Sequence, residues 1–192
     1  MHGRVVGIAI LAAAFAASGV SARQAGLRAK ADIAGEGIKG TVQLREVDAQ
    51  TAGSHDMKYM TGMKAVEVTV DVTGLKPGAH GIHIHAVGKC EAPGFTTAGG
   101  HFDPGPNGGM DPDANHPFHM GDLPNLVADA NGHATLKTVT NRVTLSEGPL
   151  SVFDADGTAL IIHGNPDQGV TGAARSGVSG GPRVACGVVS KQ

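Results

Sequence analysis

Residues Ala65-Val-Glu-Val-Thr-Val-Asp-Val72 alternate apolar and polar side chains almost without exception. In a β-strand, successive side chains point to opposite faces, so this alternation places all four valines on one face. β-branched residues also fit a pleated surface better than they fit a helix. The stretch therefore predicts a strand with one face in a core and the other in solvent.

Short stretches of the same kind recur along the chain, separated by turn sequences rich in Gly, Pro, Asn and Asp. The further predicted strands are Leu27–Ile33, Ile38–Val47, Gly81–Val87, His133–Val139, Leu150–Val152, Ala159–His163 and Arg183–Val189. The first two are expected to form a hairpin around Ala34–Gly37. About eight short strands without a helical period predict an all-β protein, an antiparallel sandwich or barrel.

The overall composition indicates one globular domain and excludes one class of partner. The chain has 192 residues, of which 15 are Lys or Arg, 17 are Asp or Glu and 3% are aromatic. This length fits a single domain. Because aromatic residues are so few, the core is expected to consist of Val, Ile, Leu and Ala. Because the basic residues form no cluster, we expect no nucleic-acid partner.

The first 22 residues have the organisation of a signal peptide. His2 and Arg4 precede an apolar run, Val5–Ala17, and Val20-Ser-Ala22 matches a small-x-small cleavage site. The run is shorter than the roughly 20 apolar residues that span a bilayer, and no later segment approaches that length. We therefore expect cleavage after residue 22 and an exported domain of residues 23–192 without a membrane span, most simply in the periplasm.

The chain has two cysteines, Cys90 and Cys186, and the expected export affects which state they adopt. An oxidising compartment favours a disulfide between an isolated pair. A two-thiolate metal site would need closer partners of the CxxC kind, which the chain does not have. Two free thiols are the remaining alternative.

Three stretches do not fit the strand pattern: residues 48–63, 88–125 and 164–182. Loops longer than about 12–15 residues inside a compact domain are usually functional or disordered. The second and third stretches hold most of the residues that could carry chemistry, so we interpret them as functional loops.

The first stretch is a polar insertion that carries His55, Met57, Met60 and Met63. Because thioethers favour the reduced form of copper, the insertion has a copper-capture interpretation. The alternative is a mobile hairpin loop with incidental methionines.

Histidine motifs mark the candidate chemistry. In Gly81-Ile-His83-Ile-His85, the imidazoles lie two positions apart, so a strand would direct both to the same face. Three more motifs follow: Ala98-Gly-Gly-His101-Phe-Asp-Pro104, His116-Pro-Phe-His119-Met-Gly-Asp122 and Leu160-Ile-Ile-His163. Several imidazoles without a nearby thiolate favour zinc or copper over iron–sulfur clusters or calcium. Together these motifs predict a metal centre.

In this order, the motifs resemble those of the copper-zinc superoxide dismutases of the exported bacterial type. The resemblance covers about residues 64–189 and rests on Gly74–His85, Ala98–Pro104, His119–Pro124, Leu160–His163 and Gly181–Gly187. It implies a Greek-key sandwich or barrel and an enzyme that converts superoxide to oxygen and hydrogen peroxide, with copper and zinc as cofactors. Exported bacterial members of this family occur as homodimers and as monomers.

The resemblance also implies roles for individual side chains. The copper ligands would be His83, His85, His101 and His163, and the zinc ligands would be His101, His119 and Asp122. His101 would bridge the metals and carry a proton, Arg183 would guide the superoxide anion, and Asp167 would link a copper histidine to a zinc histidine. Cys90 and Cys186 match the family's disulfide, and His80 matches a structural histidine that is not a ligand.

The chain departs from the family at the fourth zinc ligand. The family has a histidine eight or nine positions after the bridging one, where this chain has Gly109 and Met110. Zinc prefers four ligands, and His116 is the histidine left in that loop. We expect either that His116 completes the zinc site or that the site is weak or empty.

Two other functions stay open at this point. A non-catalytic domain that binds or donates copper would suit the same fold, but it would need neither Arg183 nor a bridging His101. A zinc hydrolase would need a general base beside an open zinc, and the chain has no HExxH-like motif. The sequence also leaves open the oligomeric state and the choice between periplasm and medium.

Overall fold

In the part of the chain that the structure describes, ten β-strands make up most of the regular structure. The structure is a computed structural model that describes residues 26–52, 61–105 and 111–192. The strands are β1 (Arg28–Gly35), β2 (Ile38–Asp48), β3 (Lys64–Thr73), β4 (Gly78–His80), β5 (Ile82–His85), β6 (Leu126–Ala128), β7 (Ala134–Thr140), β8 (Ala159–His163), β9 (Arg183–Val188) and β10 (Ser190–Lys191). Within the described residues, the helical elements are two single 3-10 turns, Ala49–Thr51 and Thr96–Ala98. The predicted all-β class is confirmed.

The strands form one antiparallel sheet that nearly closes into a barrel. Their order is β4-β6-β7-β3-β2-β1-β9-β8-β5, and β10 pairs with β1. The two end strands, β4 and β5, are separated in the chain by Gly81 alone, which brings the two edges of the sheet together. Because β3 pairs with β7 while β4 pairs with β6, the connections cross as in a Greek key, as expected.

The alternating stretch that predicted a strand forms most of β3. Its four valines are each at most 1% exposed, whereas Thr69 and Asp71 between them are exposed. Ile82 and Ile84 of β5 lie in the same aliphatic core. Since alternate residues of a strand face opposite ways, the burial of these two isoleucines directs the neighbouring histidines away from that core.

One predicted strand is wrong and another is shorter than expected. At Leu150–Val152, the N–H of Ser151 donates back to the carbonyl of Gly148, so this segment is part of a turn and makes only an isolated bridge. The strand predicted at Gly81–Val87 ends at His85, because the following N–H groups donate into the long loop that comes next.

Three very short strands were not predicted from the sequence. β4 and β6 have three residues each, and β10 has two. An alternation of apolar and polar side chains needs about four residues to be recognised, so strands of this length carry too little pattern.

Each of the two predicted functional loops follows a strand that carries histidine. Residues 86–125 connect β5 to β6, and residues 164–182 connect β8 to β9. A disulfide between Cys90 and Cys186 ties the first loop to β9, with 5.6 Å between the Cα atoms. The predicted disulfide is therefore confirmed.

Several sequence predictions concern residues that the structure does not describe. The expected signal peptide (residues 1–22) lies outside the described residues, as do His55, Met57 and Met60 of the insertion. Met63, the last residue of that insertion, is half exposed. A search of the described residues finds no helix with the length and apolar character needed to cross a membrane.

Candidate metal centre

Strand β5 and its two neighbours bring the first histidines together. His83 and His85 are both 0% exposed, and β5 pairs with β8, at whose end His163 lies 3% exposed. The register between β8 and β9 shifts after Ile162, so that His163 pairs with Arg183. This irregularity places the arginine at the same end of the barrel as the three imidazoles.

The other edge of β5 is covered by the long loop, which delivers two more candidate ligands. The Ile84 N–H donates to the carbonyl of Gly121, and the Phe102 N–H donates to the carbonyl of Ile84. His101 directly precedes Phe102, and Asp122 directly follows Gly121. The two bonds therefore place His101 beside His85 and Asp122 beside His83. A side chain at Gly121 would lie 2.2 Å from the Ile84 carbonyl oxygen, so only glycine allows this approach.

Four imidazoles form the first cluster: His83, His85, His101 and His163. One ligand nitrogen of each lies within 4.8 Å of the others. In this cluster, four buried nitrogens have no hydrogen-bond partner among the described residues, namely His83 Nδ1, His85 Nε2, His101 Nε2 and His163 Nε2. Buried polar atoms are nearly always paired, so four converging unpaired imidazole nitrogens fit a bound cation such as copper.

The second cluster shares His101 with the first and consists of His101, His116, His119 and Asp122. His101 Nδ1 donates to Asp122 Oδ1 at 2.7 Å, and the Nδ1 atoms of His116 and His119 lie 3.4 and 3.3 Å from Asp122 Oδ2. Three imidazoles and a carboxylate supply the four donors that zinc prefers. His116 is therefore placed where the sequence left one ligand missing, while Gly109 and Met110 lie outside the described residues.

Asp167 joins the two clusters from outside. Its carboxylate accepts hydrogen bonds from His83 Nε2 at 2.9 Å and from His116 Nε2 at 2.5 Å. These bonds occupy the outer nitrogen of each ring and leave each Nδ1 directed into a cluster. A carboxylate that orients ligating imidazoles through their outer nitrogens is common at metal sites.

Backbone carbonyls hold the outer nitrogens of two more imidazoles. His85 Nδ1 donates to the Gly99 carbonyl and His163 Nδ1 donates to the Gly181 carbonyl, each at 3.0 Å. The proton is thereby kept on Nδ1, and Nε2 is left with a free lone pair.

His80 belongs to neither cluster, since its ring nitrogens lie 2.7 and 2.8 Å from the carbonyl oxygens of His163 and Lys76.

Burial keeps three imidazoles of the first cluster neutral, those of His85, His101 and His163. It lowers the pKa of His101 to about 4 and that of His163 to about 3, and the pKa of His85 lies well below its ordinary value for the same reason. Neighbouring imidazoles, and Arg183 beside His85 and His163, lower these pKa values further. Neutral imidazole is the form that binds metal, so these rings are ready to do so at neutral pH.

At Asp122, Asp167 and His116, contacts between histidines and carboxylates together change the pKa more than burial does. Burial alone would raise the pKa of Asp122 and of Asp167, but hydrogen bonds from the histidines outweigh it and lower both. For His116, burial would lower the pKa, but the hydrogen bond to Asp167 and the charge of Asp122 raise it. The second cluster thus holds fixed negative charge beside its imidazoles.

We expect the metal-free protein to lose stability as the pH falls from about 6.5 to about 5. Unfolding returns His85, His101 and His163 to their ordinary pKa, so over this range the unfolded chain binds more protons than the folded chain does. The pKa of His116 is raised in the folded protein, so this residue makes the opposite contribution to stability. It is one group, whereas three groups have a lowered pKa. Urea unfolding at about pH 7 and about pH 5 should differ by at least about 1 kcal/mol, and equal stability would contradict the prediction.

Arg183 is anchored beside the first cluster. Its Nη1 donates to the Phe95 carbonyl at 2.8 Å, and its Nη2 donates to the Gly99 carbonyl at 2.6 Å. The Gly99 carbonyl also accepts from His85 Nδ1, so a single backbone oxygen ties the guanidinium to a cluster imidazole. The side chain is half-buried and lines a cavity of about 640 Å³ that none of the clustered histidines lines.

The nearly closed barrel and its two linked clusters of metal-binding side chains define the class of protein, a β-barrel metalloprotein. The pattern of the family described as copper/zinc superoxide dismutase (SODC) matches residues 38–189, so the chain belongs to that family. The expected class of enzyme, an oxidoreductase, and the two expected metals are thereby confirmed at the level of the family.

Individual relatives agree with the family assignment. A copper-zinc superoxide dismutase of Caulobacter vibrioides is 35% identical over 158 residues, which cover 78% of this chain and 84% of the relative. An extracellular copper-zinc superoxide dismutase of Onchocerca volvulus is 34% identical over 167 residues, which cover 81% and 77%. Among solved structures, an SOD-like protein from Bacillus subtilis has a TM-score of 0.63 and 26% identity, and the match covers 83% of this chain and 96% of that one.

The structure also shows residues that support the site and that the sequence did not indicate. The Asn125 side chain donates to the Asp167 carbonyl and accepts from the Asp167 N–H, which holds the bridging carboxylate in place. Arg142 Nη1 donates to the carbonyls of Pro117 and His119. Because these side chains act on backbone atoms of distant segments, no local sequence pattern distinguishes them from ordinary surface residues.

Proposed function

We propose that this protein is an exported copper-zinc superoxide dismutase. Copper would be held by His83, His85, His101 and His163, and zinc by His101, His116, His119 and Asp122. The observation that carries the proposal is the position of His101, whose Nε2 is unpaired within the first cluster while its Nδ1 lies in the second. A single imidazole that serves two buried clusters is suited to bridging two metals.

The reaction consumes two superoxide anions and two protons and yields oxygen and hydrogen peroxide. When bound, copper supplies one-electron chemistry, accepting an electron from one superoxide and giving it to the next. With zinc bound at its Nδ1, His101 would hold a proton at Nε2 whenever that atom is not engaged, and this proton would be available to the peroxide product. The buried imidazole therefore contributes a proton without a charged group having to enter the site.

Arg183 has the properties needed to attract and hold a small anion. A guanidinium stays charged even though burial lowers its pKa, and it carries five N–H donors. Two carbonyl bonds fix the side chain, which leaves donors for superoxide. The chain as a whole is mildly acidic, so a cation at the site offsets the repulsion of the anion.

The second candidate function is a copper-binding or copper-donating domain without catalysis. A domain of that kind needs neither a bridging imidazole nor an anchored arginine, which favours the enzyme. Metal content measured beside superoxide dismutation separates the two candidates. One copper and one zinc per chain with fast turnover supports the enzyme, whereas bound copper without turnover would support the carrier.

We expect the His116→Ala variant to bind zinc roughly 10- to 100-fold more weakly or worse, because loss even of an outer partner has that effect. Copper binding should persist, since His116 is not part of the first cluster. His133→Ala is the matched control, because that histidine is exposed and bonds only Asp71 through its ring. Stoichiometric zinc in His116→Ala at wild-type affinity would show that His116 is not a ligand.

Export is supported by the disulfide and by the predicted signal peptide. Disulfides persist mainly outside the reducing cytoplasm, and Cys90 and Cys186 are joined. One of the similar proteins is named as extracellular. We place the mature domain, residues 23–192, in the periplasm, and N-terminal sequencing of the periplasmic fraction tests both the cleavage site and the location.

A further inference from the structure

A buried carboxylate joins the two loops that cover the metal centre. Asp113, in the loop that follows β5, is 4% exposed. Its Oδ2 accepts from the Gly177 N–H at 2.7 Å, and its Oδ1 accepts from the Ser179 N–H at 3.0 Å and from the Ser179 hydroxyl at 2.7 Å. Burial would raise the pKa of this carboxyl, but the three bonds outweigh it and lower the pKa. Asp113 therefore accepts all three bonds in its ionised form at neutral pH.

Further bonds connect the same two segments on the side of His116. The Gly172 N–H donates to the Asp113 carbonyl at 2.8 Å, and the Thr171 hydroxyl donates to the His116 carbonyl at 2.6 Å. Residues 113–116 are thus held against residues 171–179 at both ends. His116 belongs to no strand, so these contacts take the place of the sheet that orients His83 and His85.

The anchored segment also continues towards the first cluster. Ser179 is followed by Gly180 and Gly181, and the Gly181 carbonyl accepts from His163 Nδ1. Gly180 has a φ of +113°, and a side chain there would lie 2.7 Å from the Cβ atom of His163. The backbone next to Ser179 is therefore packed directly on a cluster imidazole, which leaves it little freedom to shift.

We infer that Asp113 is a positioning residue for the second cluster, which fixes the loop that carries His116 to the loop between β8 and β9. This inference rests on the proposed role of His116 as a zinc ligand. A ligand on an unanchored loop must be ordered when metal binds, and the entropy lost lowers the affinity. Asp113 removes that cost by ordering the loop beforehand, through a carboxylate that touches neither cluster's ligand atoms.

Co²⁺ is the probe, because in a four-coordinate site its visible absorption reports the ligand set without any need for turnover. Starting from the metal-free full mature chain, we expect Asp113→Ala to bind Co²⁺ on the order of 10-fold more weakly, with altered visible bands. Asp113→Asn keeps one acceptor oxygen and should fall between Asp113→Ala and wild type. Ser179→Ala removes one bond to Asp113, and Thr171→Val removes the bond to the His116 carbonyl, so these milder variants test the same loop-to-loop anchoring if Asp113→Ala folds poorly.

Asp129→Ala is the matched control. That carboxylate likewise accepts two backbone N–H groups, from Asn131 and His133, but it is exposed and lies in the turn between β6 and β7. Wild-type Co²⁺ affinity and bands in Asp113→Ala, even with a lower melting temperature, would overturn the inference. Wild-type Co²⁺ binding in His116→Ala would instead overturn the proposed zinc ligand, so the two failures are distinguishable.

Discussion

We expect the His101→Ala variant to lose superoxide dismutation by more than about 100-fold, since loss of no more than an outer partner of a ligand typically costs about 10- to 100-fold. Among the described residues, His101 is the one side chain that belongs to both clusters, and it is 4% exposed. Its removal takes one nitrogen from the first cluster and one from the second. Copper and zinc content, measured beside dismutation by the purified mature protein, checks the prediction.

Two comparisons make this result specific. His133→Ala removes an imidazole outside both clusters and should leave activity and metal content unchanged. His163→Ala removes one nitrogen from the first cluster only, so copper binding should weaken while the zinc content persists. If His101→Ala weakens only one metal, the imidazole does not serve both sites and the bridging role is wrong.

Removal of the disulfide is expected to have the largest effect on stability. The bond joins residues 96 positions apart, and in the chain-entropy model a loop of that length contributes about 4–5 kcal/mol. The Cys90→Ser/Cys186→Ser variant should therefore melt roughly 10–20 °C lower than wild type. Thermal unfolding of the metal-free and the metal-loaded proteins measures the shift.

The same variant should lose activity beyond what its stability explains. The disulfide anchors the segment whose carbonyls, at Phe95 and Gly99, hold the Arg183 guanidinium. Its release leaves the arginine less well placed, while every imidazole and carboxylate of the two clusters is still present in the variant. Wild-type protein treated with a thiol reductant should behave in the same way, and the double variant should not respond to the reductant. A melting temperature within about 2 °C of wild type would contradict the stability prediction.

The strand-borne part of the site was predictable because a strand transmits its sequence pattern directly to its two faces. The valines of β3 are buried, as the alternation of apolar and polar residues in that strand predicts. Ile82 and Ile84 likewise lie in the core, as their alternation with His83 and His85 predicts. It follows that His83 and His85 share the opposite face. No information from distant residues was needed for any of these placements, since period two is a local property.

The shortest elements were not predictable in this way. β6, β10 and the turn at Leu150–Val152 each involve only two or three residues. Whether such a segment pairs depends on which backbone groups of other segments lie opposite, and the local sequence does not contain that information.

By itself, the sequence determined the antiparallel β class, the histidine pair on β5, the cysteine pair and the family. Only the tertiary structure decided that His116 lies beside Asp122, and that Asp167 reaches both His83, 84 positions away, and His116. It also decided that Asp113 anchors the loop. Each of these contacts involves at least one irregular loop, where no period relates position in the chain to direction in space. Their geometry is therefore set by the folded barrel and by the few buried hydrogen bonds that join one loop to the other.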